Sequence, residues 1–306
     1  MNPAPKPIVV VGSINMDLVA RTRHIPVPGQ TVTGTGFETT PGGKGANQAV
    51  AAARLGYPVR MVGMVGEDVF GQALLDHLGG AGVGTAAVVR VEGPSGVALI
   101  TVAENGDNSI VVVPGANGKM TPEAVERQAG LIRSAGMVLC QLELPMETVA
   151  HTLAICAEAG VPVMLDPAPA AALPDEIWGH ATWLTPNETE AEFYLGKGSE
   201  PEDSARQLLA KGLQGVVLKR GVDGAYVAVA GKKGTWVESF HVQAVDTVAA
   251  GDCFNGAFAV ALMEGNDPLA AARFANAAAA ISVTRPGAQA SMPERDEVEA
   301  FLAERV

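Results

Sequence analysis

The chain is poor in the patterns that would make it disulfide-stapled, metal-bound or membrane-spanning. Only three cysteines occur in 306 residues, Cys140, Cys156 and Cys253, widely spaced and without a C-x-x-C. A disulfide framework or a zinc site is not expected, and a reducing, cytoplasmic setting fits. The five histidines, His24, His77, His151, His180 and His241, make no H-E-x-x-H or other metal spacing. Basic charge is scarce: 21 Lys and Arg stand against 33 Asp and Glu, a net −12. That argues against a nucleic-acid backbone or an anionic membrane surface as partner. It leaves room for an anionic nucleotide, because a local nest of N–H groups outweighs distant charge. No apolar run is long and unbroken enough to cross a bilayer. The start, residues 1–7, carries no signal-peptide core.

Several catalytic signatures are absent as well. Gly42-Gly43-Lys44-Gly45 is not a Walker A loop, since Gly rather than Ser or Thr follows the lysine. Gly12-Ser13-Ile14 lacks the second glycine of the dinucleotide fingerprint, which disfavours a dehydrogenase. There is no G-x-S-x-G elbow.

What is present reads as one α/β unit over residues 1–306, with no dividing linker. Apolar residues make up 48% and charged residues 18%. Ile8 to Val11 is wholly apolar, as for a strand buried on both faces of a parallel sheet. From Thr121 onward helices and strands alternate, which implies βαβ units. Expected helices include 49–55, 68–78, 122–134, 146–158, 205–211, 251–264, 268–284 and 293–304. Residues 226–230 and 234–242 read as an antiparallel edge pair. Runs at 16–22, 31–39, 87–91, 97–103 and 109–113 are β-rich and joined by turns. Together they suggest a small second sheet within 15–40 and 87–113.

Two stretches are dense with chemistry. Ala249-Ala250-Gly251 leads into an apolar helix, so free N–H groups and the positive helix end converge on one spot suited to phosphate. Asp252 sits among those donors, either capping the helix or accepting a proton from an attacking hydroxyl. The other is Pro41-Gly42-Gly43-Lys44-Gly45-Ala46-Asn47-Gln48, which brings bare backbone and one cation to a ligand. Strand ends carry Asn15, Asp17, Glu143, Asp166 and Asn187, a set suited to a polyhydroxylated ligand or, singly, to turn capping.

These motifs, in this order and distance, resemble the ribokinase-like carbohydrate kinase superfamily. The likeness runs from Gly12-Ser13-Ile14-Asn15-Met16-Asp17 to Gly287-Ala288-Gln289-Ala290-Ser291. It implies a three-layer α/β/α sandwich with a mainly parallel central sheet and a small β-sheet lid over the sugar. It also implies ATP-dependent phosphorylation of the 5-hydroxyl of D-ribose, with Asp252 as base and Ala249, Ala250 and Gly251 as anion hole. By motif position the sugar would meet Asn15, Met16, Asp17, Gly43, Lys44, Gly45, Ala46, Asn47, Glu143 and Asp252. ATP and Mg²⁺ would meet Asn187, Glu190, Lys219, Arg220, Gly221, Val222, Asp223, Gly224, Gly251, Asp252 and Asn276. The family's monovalent cation, usually K⁺, would lie among Asp246, Val248, Ser282, Arg285, Gly287 and Ser291, several through carbonyls. Lid strands in the family often pair between subunits, which implies a homodimer. Two features depart from the pattern: Lys219-Arg220, where relatives often carry smaller or apolar residues, and the acidic Asp223. Other substrates of the same chemistry stay open, namely deoxyribose, fructose, a 2-keto-3-deoxy sugar acid or a nucleoside. A binding protein that has lost catalysis is a further alternative, opposed by intact Asp252, Gly251 and Lys44.

Overall fold

Four branched residues in a row, Ile8-Val9-Val10-Val11, form the first strand, β1 (Ile8–Val11), and all are fully buried. Ile8 and Val10 face one hydrophobic cluster while Val9 and Val11 face the other, so helices cover both sides of this strand. Each such Val contributes about 1.5–3 kcal/mol of burial. The computed structural model describes residues 5–305. The first four residues, part of the start read as free of a signal-peptide core, and residue 306 lie outside it.

The chain continues through β2 (Asn15–Thr22), β3 (Gly36–Gly42), α1 (Lys44–Arg54), β4 (Val59–Gly66), α2 (Val69–Gly80), β5 (Val83–Val91), β6 (Gly96–Ala103) and β7 (Asn108–Val113). Two short helices, α3 (Pro122–Glu126) and α4 (Ala129–Ser134), precede β8 (Met137–Gln141), α5 (Met146–Ala159), β9 (Val163–Asp166), α6 (Asp175–His180) and β10 (Trp183–Leu184). Then come α7 (Glu188–Leu195), α8 (Pro201–Leu209), β11 (Gly215–Lys219), β12 (Ala225–Val229) and β13 (Thr235–Val237). The helices α9 (Ala250–Met263), α10 (Pro268–Ser282) and α11 (Arg295–Ala303) close the chain.

The large sheet has the order β13-β12-β11-β10-β9-β8-β1-β4-β5. It is parallel from β5 to β11, and β12 and β13 are antiparallel additions at one edge. Helices α1, α2, α9, α10 and α11 pack on one face, and α3 to α8 on the other. This is the three-layer sandwich that the sequence motifs imply. Strand order reverses between β1 and β8, and the crevice at such a switch point is where open α/β sheets bind ligands. A second sheet, β3-β2-β6-β7, stands beside it. Its register sets Asn15 between Gly42 and Gly96, at the mouth of the same crevice.

Some boundaries differ from the sequence reading. The run at 87–91 belongs to β5 and pairs with β4 in the large sheet, so it is not a strand of the small one. The helix α2 between β4 and β5 makes a crossover, which returns the chain parallel to β4 instead of as a hairpin. The segment 31–39 becomes a strand only from Gly36, and 234–242 only at Thr235–Val237. Helix 122–134 breaks at Arg127–Gln128, and α1 starts five residues early, at Lys44. Helices α6 and α7 are not among the helices expected from the sequence.

Candidate active site

The glycines of the Pro41–Gln48 stretch exist to let other groups in. A Cβ on Gly42 would overlap the Asp17 carboxylate. Gly43 takes φ 88°, and a Cβ there would lie 2.8 Å from the Asn15 nitrogen. Gly45 packs on Gly12, and a Cβ there would lie 2.7 Å from the Gly12 backbone. The loop therefore lies flat against the ends of β1 and β2, the close approach only glycine permits. Polar bonds then stitch the switch point together. Ser13 Oγ donates to Glu143 Oε2 at 2.5 Å, and the Lys44 N–H donates to the same oxygen at 3.1 Å. Asn117 Nδ2 donates to Asn15 Oδ1 at 2.7 Å and so fixes its orientation. Burial first, then Glu143 and Asp252, pushes the Asp17 carboxyl up to about 7. Asn15, Asp17, Lys44, Asn47 and Glu143 thus share one polar patch. Met16 and Ala46, by contrast, are core side chains, and Gly45 is a packing residue.

Asp252 lies at the inner edge of that patch, in the first turn of α9 and 5% exposed. Asn47 Nδ2 donates to its Oδ2 at 2.9 Å, and Gln48 Nε2 to its Oδ1 at 3.1 Å. Burial holds its carboxyl above the usual range, opposed chiefly by the Lys44 ammonium. Lys44 is in turn held above its ordinary value, first by Asp252. Ahead of the helix, Ala249 has φ 58° and ψ 14°, the one non-glycine residue with positive φ among the described residues. That conformation costs an alanine roughly 1–2 kcal/mol. It turns the helix start toward the crevice. The Ala250 N–H is taken by the Thr247 carbonyl at 3.3 Å. The N–H groups of Gly251 and Asp252 are left as orphan donors of the first turn. Of the expected donors Ala250 is thus engaged, while Gly251 and its neighbour Asp252 stay open to a ligand, on a turn bent by Ala249.

A cavity of about 440 Å³ runs outward from Lys44 and Asp252. Near the nest it meets a buried ion pair, Lys219 Nζ to Asp166 Oδ1 at 3.0 Å. Gln48 Nε2 bridges Asp166 and Asp252. A Cβ on Gly251 would stand 3.5 Å from Lys219 Nζ, so this ammonium lies beside the nest. Asn187 and Glu190 also line the cavity, and they form a reciprocal capping box at the start of α7. Burial raises the Glu190 carboxyl, against the pull of Lys219. Further out the wall is Gly221, Val222, Gly224, residues 239–242, Ala279, Ala280 and Val283. Asn276 lines it too, its Nδ2 donating at 3.0 Å to the carbonyls of Val237 and Glu238. Arg220 leaves the wall to pair with Glu188 at 2.7 Å, and Asp223 is exposed and off the lining.

The six residues expected around a monovalent cation fall on two adjoining loops and the helix ends that flank the second, Ser282 closing α10 and Ser291 closing a single turn at Gln289–Ser291. Asp246 ties them: its Oδ1 accepts from the Val248 N–H at 3.0 Å and its Oδ2 from the Gly287 N–H at 2.9 Å. The Asp246 N–H donates to the Val283 carbonyl. The Ser282 and Ser291 hydroxyls donate to the carbonyls of Ala279 and Ala288. The Arg285 guanidinium is held by Glu297, which leaves only its carbonyl for the loop interior. Residues that motif reading underweighted are central here: Gln48 and Asp166 join the two ends of the site, and Ser13, Asn117, Gln141 and Gln289 hold the inner side chains. All are polar and buried, a signal visible only once the fold is known. The three cysteines are free and buried. Among the described residues no helix is long and apolar enough to cross a membrane.

A crevice with a carboxylate at a helix mouth, amides around it and a long outer cavity defines a phosphotransferase architecture. The chain belongs to the pfkB family of carbohydrate kinases, whose profile matches residues 6–295. It is 48% identical over 297 residues to the ribokinase of Bacillus subtilis, covering 97% of this chain and 99% of that one. It is 37% identical over 302 residues to the deoxyribokinase of Salmonella typhi, covering 97% and 98%. The solved structure of Arabidopsis thaliana ribokinase complexed with ribose and ATP superposes with a TM-score of 0.91 at 38% identity, covering 98% and 99%.

Proposed function

We propose that this chain is an ATP-dependent kinase that transfers the terminal phosphoryl of ATP to the 5-hydroxyl of D-ribose, releasing D-ribose 5-phosphate and ADP. The observation that carries the reading is the double clamp on Asp252, one amide on each oxygen, beside the orphan N–H groups of residues 251 and 252. A carboxylate so held accepts the hydroxyl proton in a fixed direction, and its raised proton affinity suits a base. Asn15, Asp17, Asn47 and Glu143 hold the sugar hydroxyls, and Lys44 sits between sugar and phosphoryl. The Gly251 and Asp252 N–H groups and Lys219 stabilise charge on the phosphoryl in flight. Little covalent work is left, so positioning supplies most of the rate.

Mg²⁺ bound with ATP neutralises phosphate charge. Glu190, Asp166 and Asn187 are the nearby protein oxygens, and a site of few carboxylates suits an ion that keeps waters and phosphates as ligands. K⁺ would be held by the loops around Asp246, Val248, Ser282, Arg285, Gly287 and Ser291, where carbonyls dominate. The protein acts in the cytoplasm as a homodimer through its lid sheets. β7 is an outer strand exposed along its length, with Ile110, Val111, Val112 and Val113 all 43% exposed or more, an edge that invites a partner. A coupled ATP-consumption assay across ribose, deoxyribose, fructose and a nucleoside, with and without Mg²⁺ and K⁺, tests the catalytic reading. Ribose should give the highest kcat/KM, with activation by K⁺. Turnover of none of these sugars would overturn the reading.

A further inference from the structure

We infer that Gln289 is a positioning residue for the reaction: acting through Asn47, it fixes which atom of that amide faces Asp252. This rests on the reading of Asp252 as the base. Gln289 opens the single-turn helix Gln289–Ser291 and is 2% exposed. Its Nε2 donates to Asn47 Oδ1 at 2.9 Å, and Asn47 Nδ2 donates to Asp252 Oδ2 at 2.9 Å. An asparagine amide is nearly symmetric in shape, and a flip about χ2 exchanges a donor for an acceptor. Flipped, Asn47 would aim a carbonyl oxygen at a carboxylate. The donor from Gln289 removes that choice, because Oδ1 must turn toward it.

The other oxygen of Asp252 is served in the same way. Gln141 Nε2 donates to Gln48 Oε1 at 2.8 Å, which directs Gln48 Nε2 to Asp252 Oδ1 and Asp166 Oδ2. Each oxygen of the base therefore meets an amide whose orientation a second, outer glutamine sets. Gln289 differs from Gln141 in its place. It belongs to the loop that Asp246 clamps at Gly287, so any change in that loop reaches Asp252 through two hydrogen bonds.

The ionisable groups around the pair come from several elements, among them Glu143 just after β8 beside Asp17 and Lys44, and Arg54 of α1 beside His77. Lys44 on α1, Asp17 on β2 and Asp166 on β9 face Asp252, with Lys219 on β11 behind Asp166. His77 of α2 lies on the far side of Gln289. Its Nε2 and Gln289 Oε1 are buried without a well-formed hydrogen bond, and burial holds the imidazole below its usual value.

Two variants test the inference by kcat against pH at saturating ribose and ATP. Gln289→Glu introduces an acceptor-only group at high pH, so Asn47 must turn its Nδ2 outward. The kcat should fall about 10²-fold at pH 8.5. As pH drops toward 6 the introduced carboxyl protonates and donates again, so the ratio of variant to wild-type kcat should climb. A purely structural role predicts no such recovery. Gln289→Met keeps the volume, removes the donor, and should lower kcat about 3- to 10-fold with the acid limb of its profile moved to higher pH. It covers the case in which the charged variant does not fold. A Gln289→Met enzyme with wild-type kcat and pH profile would overturn the inference, as would a pH-independent ratio for Gln289→Glu. Wild-type turnover in Asp252→Asn would instead remove the base itself, a separate failure.

Discussion

The two ends of the crevice are built on different principles. At the end proposed for the sugar, side chains 93 to 242 residues apart in sequence meet through buried hydrogen bonds, and glycines clear the space they need. At the end proposed for the nucleotide the wall is small residues of α10, the turn residues Gly221, Val222 and Gly224, and the chain at 239–242. Few side-chain bonds fix it; Asn276 reaches back to two carbonyls to hold the segment after β13. The first end is specified atom by atom, because each sugar hydroxyl needs its own donor and acceptor. The second is specified by shape, since a flat base needs an apolar slot and backbone within reach. Substitutions should therefore be unforgiving at one end and mild at the other.

The largest effect belongs to the group that joins the ends. Asp252→Asn should retain ribose binding, measured by calorimetry, and cut kcat by roughly 10²–10⁴, the range for a general base. Unchanged turnover would break the contrast at its centre. Next comes a change that adds one methyl group and removes no chemistry. Gly42→Ala forces the Asp17 carboxylate aside, and a misplacement of that size costs about 10²-fold. That loss should fall on kcat/KM for ribose, with the KM for ATP held within about threefold.

The same contrast explains what could be read from the chain in advance. Gly42, Gly43, Lys44, Asn47, Gly251 and Asp252 sit in two short motifs because their job depends on identity and spacing, so the string of letters carries it. The run at 87–91 is misleading because its pairing partner is set by the crossover α2, a tertiary matter, and not by the turn that follows it. Asn187 and Glu190 are placed by the family resemblance, yet an Asn followed three residues later by Glu also spells a capping box, and α7 behind them leaves no clear sequence pattern. The outer wall left almost no trace. Ala279, Ala280 and Val283 look like any apolar helix end, and their exposure to a cavity follows only from how α10 packs on α9.

Asp17 gives a test in which function and stability pull apart. Its carboxyl has an ordinary value of 3.8 and rises to about 7 in the folded chain. The folded state thus favours the protonated form. The stabilising preference is intact below about pH 4 and is lost as pH climbs through about 7, so ionised Asp17 weighs on the fold in neutral and alkaline solution. Asp17→Asn should raise the melting temperature of the sugar-free protein by roughly 2–5 °C at pH 8.5. The gain should shrink as pH falls toward 5, and ribose affinity should drop. A variant less stable at every pH would mean that the carboxylate supports the lid instead of straining it.

The smallest effect is expected at the nucleotide end. Val222 lines the cavity yet is 81% exposed, on a turn shaped by Gly221 at φ 54° and Gly224 at φ 97°. Truncating it to alanine removes two methyl groups that a bound nucleotide would cover only in part. At about 0.8 kcal/mol per fully buried methylene, partial cover is worth less than about 1 kcal/mol. Val222→Ala should therefore change the KM for ATP by less than about fivefold and leave kcat and the KM for ribose alone. Gly224→Ala in the same turn sharpens the point, since a Cβ there would run into the backbone of residues 237–239 and move the wall itself. If Val222→Ala weakened ATP as much as Gly224→Ala, side-chain identity would matter at this end as well. The division between an end specified by atoms and an end specified by shape would then fail.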